Sequence, residues 1–423
     1  MAKIVIIGAG VGGIPAALEV RKTVRKSDQV MVISNTPTFH FVPSNPWVAV
    51  GRRSPEQIKV PLEKMFRRKK IDFVVNPVTK VIPSENALTL ADGSRLSYDF
   101  LIIATGPRLA FDEIPGFGPD GCTQSVCHVD HADETNHRWQ EFLKAPGPVV
   151  VGAVQGASCF GPAYEYVFLL DAELRRRKLR DQVPITFLTS EPYIGHLGLG
   201  GVGDTKGMFE SALREKTIKF VTNVKVDGFS NDKVTYTEVA EDGTDKRHDE
   251  ASFKLSMMIP AFTGVEAVRG IDGLSNPRGM ILVNDKMQNP TYPNIYGVGV
   301  CIAIPPYEKT PVPVGVPKTG LMIESMAVAA AHNIRLQLDG QTPEARPALN
   351  ALCIADMGNT GVGFIAQPQI PPRNRSLSFQ GWKMHFAKVV FEWYYIRKIR
   401  KGLTSPFYEK FGLGLMGYKE LKS

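Results

Sequence analysis

Cysteines behind glycine-rich turns are the residues of this chain best placed to do chemistry. Residues 152–159 read Gly-Ala-Val-Gln-Gly-Ala-Ser-Cys after the apolar run Pro148-Val149-Val150-Val151, the pattern of a strand entering a helix. Cys159 stands near the start of that helix, which continues through Tyr164, Glu165, Tyr166 and Leu169. A helix N-terminus favours an anion, so a reactive thiolate is expected at Cys159. A nucleotide-binding turn here would need glycine where Val154 stands, and Ala157 takes the third glycine's place. The turn is therefore expected to present a thiol, not to bind NADH. The chain has five cysteines in 423 residues, too few for a secreted disulfide scaffold and an odd number that cannot all pair internally.

A second turn carries a different chemistry. Lys3-Ile4-Val5-Ile6-Ile7 is an apolar run suited to a buried parallel strand, and Gly8, Gly10 and Gly13 follow in the spacing GxGxxG. Gly8 suits the tight turn, Gly10 the close approach of a pyrophosphate and Gly13 the packing of helix on strand. The free N–H groups of the helix start complete an anion site. The next strand, Gln29 to Ile33, ends in Ser34-Asn35 where an acid usually meets the ribose; either side chain can still hydrogen-bond a hydroxyl. Tyr98 to Gly106 reads as a strand ending in Ala104-Thr105-Gly106, and Pro293 to Gly299 as a strand running into a glycine turn. Val300 and Cys301 stand where an Asp commonly follows that last glycine.

Composition limits what these turns can belong to. With 43% hydrophobic and 22% charged residues the chain is globular, and its length suits two or three domains. The apolar stretch Ile4 to Leu18 is broken by glycines and Pro15 and falls short of a membrane span, and it lacks the marks of an export signal. The net charge of +8 is unevenly placed. Arg373, Arg375, Lys383, Lys388, Arg397, Lys398, Arg400 and Lys401 face only Glu392 between residues 373 and 401. Such a local excess favours an anionic lipid surface over nucleic acid. The basic runs Lys64 to Lys70 and Arg175 to Arg180 read as solvated helix faces. Trp382, Phe386, Val389, Val390, Trp393 and Ile396 recur at helical spacing inside the basic segment, with a shorter helix expected from Phe407 to Met416. Aromatics flanked by cations describe a helix lying in a membrane interface.

Several segments resemble the bacterial sulfide:quinone oxidoreductases, within the flavoproteins that have two dinucleotide-binding domains. They are Phe41-Val42-Pro43-Ser44-Asn45-Pro46-Trp47, Gly156 to Tyr166, Ser190 to His196, Thr310 to Pro313 with Pro317-Lys318-Thr319-Gly320, and Pro406 to Lys410. The resemblance covers nearly the whole chain. It implies an α/β fold of two Rossmann-like dinucleotide-binding domains with a C-terminal amphipathic-helix membrane-contact region. The expected division is 1–113 with 258–345 for FAD, 114–257 for the second domain with Cys127 and Cys159, and 346–423 for the C-terminal region with Cys353.

The resemblance also implies roles. Cys159 and Cys353 match a redox pair beside the flavin, bridged by sulfur in turnover, and Cys127 a third thiol that helps release the sulfur chain. Cys122 and Cys301 match no functional position. His131 and His196 are placed near the thiols for proton movement, and Glu165 serves as a relay or as part of a structural network. His40, His128 and His385 are expected to be structural. The cofactor contacts fall to Gly8, Gly10, Gly13, Ser34, Asn35, Thr105, Gly106, Gly299 and Lys318, and no metal is expected. Phe391 and Tyr408, with Phe41 as a third, are matched to the quinone ring, which must meet the flavin on the side away from sulfide. The expected partners are sulfide, a ubiquinone- or menaquinone-type quinone and the lipid surface, with a homo-oligomer possible. The expected location is peripheral (monotopic) on a prokaryotic cytoplasmic membrane. The alternatives are a single-subunit NADH:quinone oxidoreductase, which requires an intact second glycine turn, and a non-enzymatic membrane-peripheral protein that binds flavin or sulfur.

Overall fold

The computed structural model describes residues 1–404 and residue 414. Tyr408 and the expected helix from Phe407 to Met416 lie outside the described residues, apart from Gly414.

The chain opens as its apolar periodicity dictates. Strand β1 (Lys3–Ile7) is buried from Ile4 onward and turns through glycines into helix α1 (Gly13–Thr23). Strands β2 (Gln29–Ser34), β3 (Asp72–Val75) and β4 (Phe100–Ile103) follow. The chain then leaves this sheet. Helix α2 (Val129–Phe142) leads to β5 (Val149–Ala153), α3 (Gly161–Arg176), β6 (Ile185–Thr189), β7 (Ile218–Val221) and β8 (Leu255–Ile259). It returns with β9 (Ile295–Gly297) and α4 (Gly320–Leu338). The first sheet runs β9-β4-β1-β2-β3 and the second β7-β6-β5-β8, all parallel. Both are doubly wound, and their continuous apolar strands fit sheets covered on both faces. β8 belongs to the second sheet along its whole length, pairing with β5 from Val149↔Leu255 to Ala153↔Ile259. The expected boundary at 257/258 therefore cuts a strand, and the division falls after Ile259.

A third, antiparallel sheet closes the molecule: β10 (Ala351–Asp356), β11 (Gly361–Gln367) and β12 (Arg375–Gly381). β10 packs on α3, and all three strands carry the terminal helix α5 (Trp382–Lys401). α5 ends at Gly402, whose φ of 60° suits a residue without Cβ.

The inner face of α5 corrects the sequence reading. Lys388, Glu392, Tyr395, Ile396 and Ile399 are buried, at i, i+4, i+7, i+8 and i+11, and Lys398 is buried beside them. Trp382, Phe386, Val390 and Trp393 point outward. Two expected solvated cations are thus internal: Lys388 pairs with Glu165, and Lys398 with Glu324 of α4 at 2.8 Å. Burying a charge is tolerable only with such partners. Arg180, read as solvated, is likewise buried and bonded to Asp171 at 2.7 Å.

Candidate active site

The first glycine turn is built to hold a dinucleotide. A Cβ on Gly8 would lie 2.3 Å from the Ala104 carbonyl oxygen, and one on Gly13 only 1.8 Å from that of Gly8. A Cβ on Gly10 meets nothing within 4 Å, so the space above that backbone is free for a ligand. The first turn of α1 holds no acid, and its N-terminus is open to phosphate. Ser34 is buried and its Oγ accepts the Thr36 N–H at 3.3 Å, whereas Asn35 is exposed at the strand end. Gly106 and Gly299 have φ of 70° and 90° and sit at the ends of β4 and β9. Cys301 is buried, its Sγ 3.3 Å from the Ile103 and Val298 carbonyls, so it faces the core. Lys318 is close enough to bias that thiol, and burial draws the Lys318 ammonium down to about 8. Thr319 and Gly320 bring the start of α4 to the same edge, with no acid in its first turn. Sequence reading took this segment only from resemblance, because twenty residues separate it from the Gly299 turn.

Three thiols come from three separate elements. Cys127 precedes α2, Cys159 lies in the β5–α3 turn and Cys353 is central in β10, opposite Phe364. All three are partly buried free thiols. The Cys159 charge acts on both Cys127 and Cys353, so each lies within electrostatic reach of it. Burial pushes the Cys159 thiol up to about 11 and the other two up to about 12. The expected depression of Cys159 by a helix N-terminus is thus not met. α3 begins two residues later, at Gly161, and the loss of hydration outweighs its dipole.

The expected acid and imidazoles differ in their surroundings. Glu165 is buried on α3, bonded to Lys388, and its carboxyl is pushed up to about 7 by burial against the opposing pull of Lys388. Asp356 is close enough to act on it as well. Asp356 itself accepts from Trp47 Nε1 at 2.8 Å, from His385 Nδ1 at 2.8 Å and from Arg52 at 3.4 Å. The sequence reading names neither Asp356 nor Lys388 as a site residue and expects His385 to be structural. The available signal was a polar stripe, Lys388 and Glu392, at helical spacing beside the aromatic one.

His196 is buried; its Nδ1 accepts the Gly198 N–H at 3.1 Å and its Nε2 lies 2.7 Å from Glu308. Burial lowers its basicity, with Glu308 opposing. His131 lies 5.7 Å from the His128 ring and 5.9 Å from Phe111, with Nδ1 buried and without a hydrogen-bond partner. Burial and then His128 lower it too.

The second turn is closed to a nucleotide. Val154 is buried, and the Gln155 amide exchanges two 2.9 Å bonds with the Val226 backbone. Glu191, just past β6 where an acid would meet a ribose, is buried. It accepts from Tyr164 at 2.7 Å, Thr189 at 2.8 Å and the Leu197 N–H at 2.6 Å.

The aromatic candidates meet where α5 crosses the Phe41 segment. Phe41 is 5.7 Å from Phe391 and 5.3 Å from Tyr395 between ring centroids. Phe41 is fully buried, and Phe391 is exposed at the rim.

Comparison with known proteins accords with this arrangement. The pyridine nucleotide-disulphide oxidoreductase family matches residues 2–331. The sulfide-quinone reductase of Aquifex aeolicus is 44% identical over 97% of this chain and 94% of its own. The crystal structure of the sulfide:quinone oxidoreductase from Aquifex aeolicus superposes with a TM-score of 0.94 at 42% identity, covering 98% of this chain and 95% of that one. A Plasmodium falciparum NDH2 structure in complex with NADH shares the fold alone, with a TM-score of 0.72 at 15% identity over 99% of this chain and 98% of that one. The chain belongs to the sulfide-quinone reductases, flavoenzymes of the pyridine nucleotide-disulphide oxidoreductase family.

Proposed function

We propose that this enzyme oxidises sulfide to sulfane sulfur at Cys159 and Cys353 and reduces a membrane quinone, with FAD between the two. The observation that carries the reading is that Cys127 and Cys353 both lie within electrostatic reach of Cys159, in a chain whose first glycine turn is open to a dinucleotide. Gly8, Gly10, Gly13, Thr105, Gly106, Gly299 and Lys318 would hold FAD, with Ser34 and Asn35 at the ribose end. FAD supplies a two-electron carrier between sulfur and quinone.

The chain's own groups handle the sulfur. Hydrosulfide displaces one thiolate from a bridge joining Cys159 and Cys353, leaving a persulfide on the other cysteine. Cys127 is a nucleophile for passing on the sulfane sulfur. The buried thiols favour their neutral forms, so a neighbouring group must take the proton when a cysteine attacks and return one to a cysteine thiolate that leaves. His131 has an unengaged nitrogen for this. His196 passes a proton to solvent through Glu308.

Quinone is assigned to the rim formed by Phe391 and Phe41, with Tyr408 as the matched third residue. The outward aromatics of α5 and the cations Lys383, Arg397, Arg400 and Lys401 support peripheral attachment to an anionic bilayer. Among the described residues no helix is long and apolar enough to cross a membrane. The domains are assigned as residues 1–113 with 260–345, 114–259 and 346–423, keeping the strand that ends at Ile259 whole. The NADH:quinone reading is disfavoured by Gln155 and Glu191, which use internally the groups a nucleotide would need.

The test is anaerobic addition of sulfide, then NADH, then a quinone analogue to the flavin-loaded protein. Sulfide should bleach the flavin absorbance, NADH should not, and the quinone should restore it. Reduction by NADH with no response to sulfide would overturn the assignment.

A further inference from the structure

The overall reaction that follows from the proposed function is HS⁻ + quinone + H⁺ → sulfane sulfur + quinol. Sulfur loses two electrons, and the quinone gains two electrons and two protons. One proton comes from hydrosulfide and one from solvent, and both must be delivered at an apolar, lipid-facing rim.

The structure carries a polar path to that rim. His385 lies on α5 between Met384 and the outward Phe386, with its side chain 36% exposed. Its Nδ1 donates to Asp356 Oδ1 at 2.8 Å. Asp356 is wholly buried at the end of β10, three residues beyond Cys353. Its carboxylate is close enough to act on that of Glu165, which is paired to Lys388. Lys388 lies one turn before Phe391 on α5 and 4.9 Å over the Trp47 ring. The charged groups facing this path are Glu165 from α3, Arg52 from the segment after Trp47, Asp356 from β10, and Lys388 from α5 itself. Arg52 is held by Glu173 at 2.9 Å, so it neutralises Asp356 without leaving the cluster. His385 is the one member of this set that combines solvent contact with a titratable ring bonded to the buried acid.

We propose that the His385–Asp356 pair is the proton inlet on the quinone side, taking a proton from solvent at His385 and passing it towards Glu165, Lys388 and the quinone rim. The inlet rests on the proposed quinone reduction. His385 acts through Asp356 and is a positioning and relay residue, not one that touches the reacting atoms.

The test isolates the quinone half-reaction. The flavin-loaded enzyme is reduced with one equivalent of dithionite, so that sulfide chemistry is not needed, and mixed with a quinone analogue across a pH series. His385→Ala should slow reoxidation by about tenfold or more, because a positioned proton donor contributes on that scale. Its pH dependence should flatten, and added imidazole should restore the rate. His385→Gln, which keeps a donor to Asp356 without a titratable ring, should be equally slow and melt at the same temperature as the unaltered protein. Unchanged reoxidation in either variant, or no rescue by imidazole, would overturn the inlet. If quinone fails to reoxidise the unaltered enzyme, the quinone assignment itself falls and the inlet with it. Loss of sulfide bleaching alone would refute only the sulfur half of the proposed function.

Discussion

Cys159 lies within electrostatic reach of two other thiols, whereas Cys301 is buried in the core. Cys159→Ala and Cys353→Ala should each reduce sulfide-driven quinone reduction to background while flavin stays bound, because neither residue lies in the cradle. Steady-state turnover and the flavin-to-protein ratio measure this, and near-normal turnover in either variant would exclude the bridged mechanism. Cys301→Ala should remain active. The thiols also predict a pH response. Alkylation needs the thiolate, and burial raises Cys159 to about 11. In the reduced protein, iodoacetamide should therefore modify Cys159 slowly at neutral pH. The rate should rise about tenfold per pH unit and level off only above pH 11. A plateau near pH 8, located by mass spectrometry, would mean that the thiol is better solvated or charge-stabilised than its burial implies.

At the scale of the element, α5 is amphipathic with the unusual sense. Its inner stripe contains Lys388, Glu392 and Lys398, paired inside, and its aromatics face out. A helix docked only for packing would turn its tryptophans inward. Each large apolar side chain contributes roughly 1.5–3 kcal/mol when transferred from water. Replacing Trp382, Phe386 and Trp393 together by Ser should therefore lower binding to anionic vesicles by well over about tenfold. The soluble sulfide-to-flavin step should stay intact. Vesicle co-sedimentation measures the first and stopped-flow absorbance the second; unchanged binding would assign the outer face to something other than lipid. Phe391→Ala should leave bleaching by sulfide near normal and slow reoxidation by quinone, since Phe391 lies at the rim beside Phe41.

The whole molecule is held together across the site by charges that no single element could satisfy. Lys388 of α5 reaches Glu165 of α3, and Arg53 bonds Glu392 of α5 at 2.9 Å. Lys388→Ala leaves a buried carboxyl without its cation, and the expected loss of stability is about 3–5 kcal/mol. The double change Lys388→Met with Glu165→Gln removes both charges and should recover much of that loss. Denaturant titration of the three proteins decides it, and equal stability of single and double variants would show that the pair is solvated in practice.

The sequence by itself determined the glycine cradle and the two parallel sheets. Each of these is local: GxGxxG after an apolar strand forces the same turn wherever it occurs, and a missing glycine at Val154 is visible without coordinates. The aromatic stripe of α5 was legible for the same reason, from spacing along one helix. Tertiary structure decided what lies opposite each face. Lys388 and Lys398 read as solvated flanks because their partners, Glu165 and Glu324, are 223 and 74 residues away. Cys159 read as an activated thiol because a helix dipole acts over one turn of sequence, whereas desolvation is imposed by every element that packs around it. His385 became visible only when β10 brought Asp356 beneath α5, a contact between residues 29 apart that no periodicity encodes.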